Sequence, residues 1–300
     1  MPTVATRTIY DVIEDAGKDL YIKALTDIPQ DIRKALKKSH DAEIAAGNNT
    51  ASKVMLTVLK NVEVADEKNM MVCQDTGLPI YKVVVGNKLR LDLLEVKKRL
   101  KIGAERATRD YPLRSSSVHP ITRKNTQTNT GQGLPIIKVD FREGDTLEIT
   151  MSPKGSGSEN MSFMKMLLPS EGIKGIYRFV IDCVFNSGAN PCPPTIVGIG
   201  LGGTSDVCTA LAKEASCFRK IGTVNADPEI AKMERELLEL INSTGIGPQG
   251  LGGATTAMAV HIEWADTHIS QNPVAVNMQC WRGERATAVI DMDGNVSYSA

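Results

Sequence analysis

The sequence is poor in aromatic residues, which fill 4% of its 300 positions. That leaves no platform on which unpaired bases could stack. Neither charge is in excess: Lys+Arg and Asp+Glu number 35 each, with no long single-sign block. The chain as a whole therefore lacks the footprint of a nucleic-acid or anionic-membrane binder, although a local basic pocket remains open to it. No apolar run approaches the roughly 20 residues needed to span a bilayer. Residues 1–19 lack a continuous apolar core and carry Asp11, Glu14 and Asp15, which excludes a secretory signal and disfavours a transit peptide. A cytoplasmic location is expected, and with it reduced thiols. The six cysteines, at 73, 183, 192, 208, 217 and 280, include no Cys-x-x-Cys pair, so a zinc ribbon or thioredoxin-like site has no support.

What is present suits a folded enzyme-sized domain. Hydrophobic residues make up 42%, ample for a core. The fold class expected is mixed α/β in one domain over 1–300: a mainly helical region over 1–70, then an α/β body over 71–300 with glycine-rich loops. Ile9, Val12, Ile13 and Leu20 mark one amphipathic stripe; Ile32, Ala35, Leu36 and Ala42 mark a second. A third runs from Val54 to Val62, and a fourth from Leu93 to Ala107 behind a capping-box variant at Asp92 and Glu95. Glu143-Gly-Asp145 reads as a hairpin between strands 134–141 and 146–151. Strands 273–278 and 286–290 read as a final pair.

The chemistry gathers first at Cys73-Gln-Asp-Thr76, where a thiol, an amide, a carboxylate and a hydroxyl stand at the mouth of an apolar strand. Desolvating such groups without partners is costly, so a strand alone gives no reason for them. Cys192 is enclosed by prolines in Asn190-Pro-Cys-Pro-Pro194, a stiff setting for a core filler. Cys280 follows another apolar strand. Arg114 and Arg123 lie in polar loops, and a guanidinium there matches a carboxylate bidentately. The loop Lys154 to Asn160 brings Gly155 and Gly157 among small donors, either cradling an anion or simply connecting. Gly198-x-Gly200-x-x-Gly203 matches a dinucleotide fingerprint, but the acidic strand end that should follow about 20 positions on is missing. Close packing of strand on helix explains these glycines as well.

Taken together, Cys73-Gln-Asp-Thr-Gly77, Pro112-Leu-Arg114, Lys154-Gly-Ser-Gly-Ser-Glu-Asn160, Cys192-Pro-Pro194, Gly245-Ile-Gly247, Gln249-Gly-Leu-Gly-Gly253 and Gln279-Cys-Trp281 resemble one family. It is the alpha subunit of the iron–sulfur class I fumarate hydratases and the related L(+)-tartrate dehydratases, and the resemblance covers nearly the whole chain in order. It implies an iron–sulfur hydro-lyase alpha-type fold with Cys73, Cys192 and Cys280 as ligands of a 4Fe–4S cluster whose fourth iron stays open. It further implies that Gln74 and Asp75 contact the substrate and its hydroxyl, and that Arg114 binds a carboxylate. Gly155 and Gly157 would lie near the substrate, and His261 in its pocket with a role in proton handling. Cys183, Cys208 and Cys217 match no ligand. The activity expected is reversible hydration of fumarate to L-malate, with tartrate dehydration as the alternative; the loops around Lys154 and Arg114 look closer to two-subunit fumarases. In single-chain relatives the base and further Arg and Lys residues follow in a C-terminal domain. This sequence ends about twenty residues after Cys280, so a separate beta subunit in an α2β2 assembly is expected. A nucleotide-binding module and an iron–sulfur sensor are the rival readings.

Overall fold

The computed structural model describes residues 7–300; the first six, part of the segment weighed as a leader, lie outside it. The chain opens with helices α1 (Ile9–Thr26), α2 (Gln30–Ala45) and α3 (Asn49–Lys68), then strand β1 (Leu78–Gly86) and helix α4 (Leu93–Asp110). Strands β2 (Ile136–Arg142) and β3 (Leu147–Lys154) follow, with the single turn α5 (Ser156–Glu159), strand β4 (Ser162–Leu167) and helix α6 (Gly172–Ser187). Next come β5 (Thr195–Gly202), α7 (Ser205–Cys217) and α8 (Pro228–Ser243). The chain closes with β6 (Ala257–Ala265), β7 (Asn272–Gln279), β8 (Ala286–Ile290) and β9 (Val296–Ser299). The fold is mixed α/β with a helical start. No helix among the described residues is long and apolar enough to cross a membrane.

These elements form two compact units, each discontinuous in sequence. The first holds residues 7–28, 69–154 and 284–300, and the second holds 29–68 and 155–283. The three N-terminal helices are thereby divided, α1 joining the first unit and α2 and α3 the second.

In the first unit a five-stranded sheet runs β2-β1-β3-β8-β9. β1 is parallel to β2 and antiparallel to β3, so the expected 134–151 hairpin does not form; β1 lies between its two arms. The reason is burial. β1 is the most apolar of the three, with Ile80, Tyr81, Val83 and Val85 buried, and it gains most from neighbours on both edges. β2 is largely exposed and takes the edge. α1 begins with the capping box that its sequence hid, Thr8 and Asp11 each bonding the other's backbone. At α4, Asp92 accepts from Leu94 and Glu95 nitrogens, while Glu95 turns to Arg99 instead of closing a box. α1 and α4 cross closely: a Cβ on Gly103 would lie 2.5 Å from the Glu14 carbonyl. Their core joins Ile13, Leu20 and Leu100 to Ile149 and Ala288 of the sheet.

In the second unit the sheet runs β4-β7-β5-β6, with β5 and β6 parallel and the other pairings antiparallel. One face packs Val197, Ile262 and Val276 against Val180 of α6 and Leu237 of α8. The other face lies under α7, at Gly198 and Gly200. Cβ atoms there would sit 2.3 Å from the Ala212 carbonyl and 2.0 Å from the Cys208 carbonyl. The glycine pattern thus serves strand–helix packing. β7 and β8, read as a pair, belong to different sheets. On α2 the expected stripe shifts by one residue: Ala42 is exposed and Glu43 is fully buried.

Candidate active site

Each unit carries part of the candidate set. In the first unit, Cys73 is half-buried and Gln74 exposed in the irregular segment before β1. Tyr21 of α1 donates from its hydroxyl to the Gly77 carbonyl (2.9 Å) and more weakly to that of Thr76 (3.3 Å). Burial above all, reinforced by Tyr81 and by the carboxylates of Glu284 and Asp75, holds the Tyr21 hydroxyl well above its ordinary pKa, so it stays a donor. Asp75 accepts from the Gly77 nitrogen (3.2 Å) in a side-chain turn. Gly77 has φ +63°, and a Cβ there would lie 2.8 Å from the Lys154 backbone. Only glycine suits this turn.

The turn is tied directly to the arginine loop. The Thr76 hydroxyl donates to the Arg114 carbonyl at 2.6 Å, and Asn129 donates to the same oxygen at 3.0 Å. Ser115, Ser116 and Ser117 are knit to Asn125, Thr126, Thr128 and Asn129, which fixes the loop without regular structure. The Arg114 side chain is exposed and has no ion-pair partner among the described residues. The loop that carries this cation is therefore tied through its backbone to the Cys73-Gln74-Asp75-Thr76 segment.

In the second unit, Cys192 is exposed at φ +56°. Its carbonyl accepts from the Trp281 nitrogen (3.3 Å), so the Cys192 loop meets the segment carrying Cys280. The next residue, Pro193, takes two bonds on its carbonyl, from the backbone nitrogen and the side-chain Nε2 of Gln249, both 2.8 Å. Gly157 also touches this loop, since a Cβ there would lie 2.7 Å from the Asn190 carbonyl. Gly155 immediately precedes the α5 turn, its carbonyl accepting from Glu159. Cys280 is buried, and Arg282 Nε donates to its sulfur at 3.5 Å. Cys192, Cys280, Gly155 and Gly157 thus share one neighbourhood. His261 sits mid-strand on β6, 2% exposed, with Nδ1 at 3.1 Å from the Ala215 carbonyl of α7.

The remaining cysteines are of another kind. Burial, with Asp182 adding to it, pushes the Cys183 thiol up to about 12, and burial pushes Cys208 up to about 11. At pH 8 the thiolate fractions are on the order of 10⁻⁴ and 10⁻³, which makes both inert as nucleophiles and ligands. Alkylation of the folded chain followed by peptide mass spectrometry should mark Cys192 first and leave Cys183 and Cys208 unmodified until the chain unfolds.

Buried charge escaped the sequence reading. Lys154, Glu284 and Arg285 of the first unit are each less than one-twentieth exposed. The signal was available in Arg282-Gly-Glu-Arg285, a charged run between two apolar strands directly after Cys280.

The sequence profile of the fumarate hydratase (Fumerase) family matches residues 14–289. The chain belongs to that family. A relative in Methanocaldococcus jannaschii named "Putative L(+)-tartrate dehydratase subunit alpha" is 42% identical over 287 residues, 95% of this chain and 99% of its own. The "L(+)-tartrate dehydratase subunit alpha" of Escherichia coli (strain K12) is 36% identical over 269 residues, 89% of this chain and 87% of its own. As a member of the fumarate hydratase family the chain is a hydro-lyase, of the alpha-subunit type.

The donor set suits an iron–sulfur group. Among the described residues no three His, Cys, Asp or Glu side chains gather tightly enough for a single metal ion. A cubane asks for less, since each iron needs one thiolate and the ligands stand well apart. Two thiols lie on bonded segments, one of them receiving a cationic N–H, and none of the six cysteines is in a disulfide. Beside Cys280 the Gln279 side chain is 1% exposed, with neither amide atom partnered among the described residues. A buried amide in that state marks a place where a polar group belongs.

Proposed function

We propose that this chain is the alpha subunit of a hydro-lyase that reversibly hydrates fumarate to L-malate, with its active site completed by a beta subunit. The observation that carries the reading is the 2.6 Å bond from the Thr76 hydroxyl to the Arg114 backbone carbonyl, which ties the loop bearing Arg114 to the turn bearing Gln74 and Asp75. A diacid needs such a cation for one carboxylate and polar groups for its hydroxyl. The naming of the relatives as alpha subunits supports the partner.

Cys73, Cys192 and Cys280 would hold a 4Fe–4S cluster, which supplies a Lewis-acid iron for the departing or entering hydroxyl when bound. Arg114 grips one substrate carboxylate and fixes the register of the carbon chain. Gln74 orients the hydroxyl through its amide, and Asp75 accepts or returns that hydroxyl's proton. The bond that Asp75 receives from Gly77 keeps its carboxylate aimed. Gly155 and Gly157 would lie near the substrate on the loop beside Cys192. The base for the carbon-bound proton is assigned to the beta subunit. No step is routed through His261, whose Nδ1 is engaged by α7.

L(+)-tartrate is the second reading, favoured by the names of both relatives. Anaerobic co-production with the beta partner, followed by assays on fumarate, malate and tartrate, separates the two. Malate should turn over faster than tartrate; the reverse order would transfer the assignment to tartrate. Full iron loading with no turnover of any four-carbon hydroxy-diacid would end the hydro-lyase reading of this site. In the same preparation Arg114→Met should lower kcat/KM about 10²- to 10³-fold through the lost charge-assisted pair. Arg114→Lys should fall between, because an ammonium keeps the charge and loses the fork.

A further inference from the structure

On the second unit a cavity of about 480 Å³ lies between α2 and the α8–β6 face, with no residue of the Cys192 loop in its lining. That volume falls within the range of small-molecule sites. Its walls are mainly apolar, with Ala42, Ile221, Leu238 and Met258 among them, and Lys34 and Lys38 stand on its α2 side. These two lysines are four residues apart and so share one helix face.

The other cations of α2 have partners. Arg33 grips Asp66 through two bonds, of 2.6 and 2.8 Å, and Lys37 pairs with Asp41. Lys34 and Lys38 are exposed and have no ion-pair partner among the described residues. The one acid lining the cavity, Asp31, directs Oδ2 at the Ile221 nitrogen (2.7 Å) and braces the wall. Ser39 and Asn242 also line it, but their side chains are spent on the Ala35 carbonyl and on the Thr256 and Ala257 backbone. Two lysines against one carboxylate give the largely apolar lining a net single positive charge. An empty hollow of this kind keeps apolar surface wet and two cations idle, and an amphiphilic anion relieves both.

We propose that this cavity, whose lining includes no residue of the Arg114 loop, is a second ligand site for an organic monocarboxylate with an apolar body. The carboxylate takes the Lys34 and Lys38 ammonium groups, and the body lies along Ile221, Leu238 and Met258. A dicarboxylate is disfavoured, since its second charge would have to enter the apolar part.

The test is titration of the full chain with 3-phenylpropionate, followed by protein-observed NMR or calorimetry, with 3-phenylpropionamide as the neutral control. Saturable binding is expected, about tenfold weaker for the amide and for the Lys34→Gln/Lys38→Gln pair, the scale of a charge-assisted bond. Ala42→Phe, at an exposed helix position, should block the cavity and weaken binding without lowering Tm. Arg114→Met should bind the probe as the unaltered chain does. Absence of saturation, equal affinity for acid and amide, or binding lost with Arg114→Met and kept in the lysine pair would each overturn the assignment.

Discussion

Glu43→Ala should destabilise the chain by about 4 kcal/mol in urea unfolding. Glu43 is fully buried, and its carboxylate accepts from the Ala254 nitrogen (2.9 Å), the Thr255 nitrogen (2.7 Å) and Asn48 Nδ2 (2.8 Å). Removing it strands three donors in a space that water does not reach freely. Each unsatisfied donor costs roughly 1–3 kcal/mol, and part is recovered by relaxation. Glu43→Gln keeps the shape and some acceptor capacity, and should lose about half as much. A loss below about 1 kcal/mol for the alanine variant would show that the 254–255 backbone finds other partners. The consequence reaches the site, because the same glycine-rich loop supplies Gln249, which holds the Pro193 carbonyl beside Cys192.

Gly200→Ala should be at least as damaging, by more than about 3 kcal/mol. The new Cβ would lie 2.0 Å from the Cys208 carbonyl and 2.7 Å from the Ala212 nitrogen, both backbone atoms of α7. No side-chain rotation relieves such a contact, so either the helix lifts from the sheet or the strand bends. Gly198→Ala meets the same helix at Ala212 and Ser216 and should behave alike. Gly131→Ala is the control, with its only close neighbour a methyl at 3.4 Å, and should shift stability by less than about 1 kcal/mol. Equal melting temperatures for Gly200→Ala and Gly131→Ala would refute the packing explanation of the glycine pattern.

The glycines of β5 show where sequence reasoning stops. Gly198, Gly200 and Gly203 follow a strand and precede a helix in a nucleotide-binding loop and in a tight strand–helix contact alike; the spacing cannot tell them apart. Only the position of α7 over β5 does. The strands tell the same story: Glu143-Gly-Asp145 is a sound turn signal and the chain does bend there, yet the two strands it joins are not partners because β1 is inserted. Turn chemistry is local, whereas strand pairing depends on which apolar strand competes best for the centre.

From sequence alone come the amphipathic helices, since a 3.6-residue period reports which face is buried, and the thiol-bearing motifs that identify the family. Their chemistry is carried by residues close together in the chain. Tertiary structure alone decided that α1 parts from α2 and α3, that Glu43 goes inside in place of Ala42, and that the Cys192 loop bonds the segment following Cys280. Those outcomes rest on hydrogen bonds between residues far apart in sequence, 211 positions in the case of Glu43 and Ala254. A periodicity names the face that must be covered and is silent about what covers it.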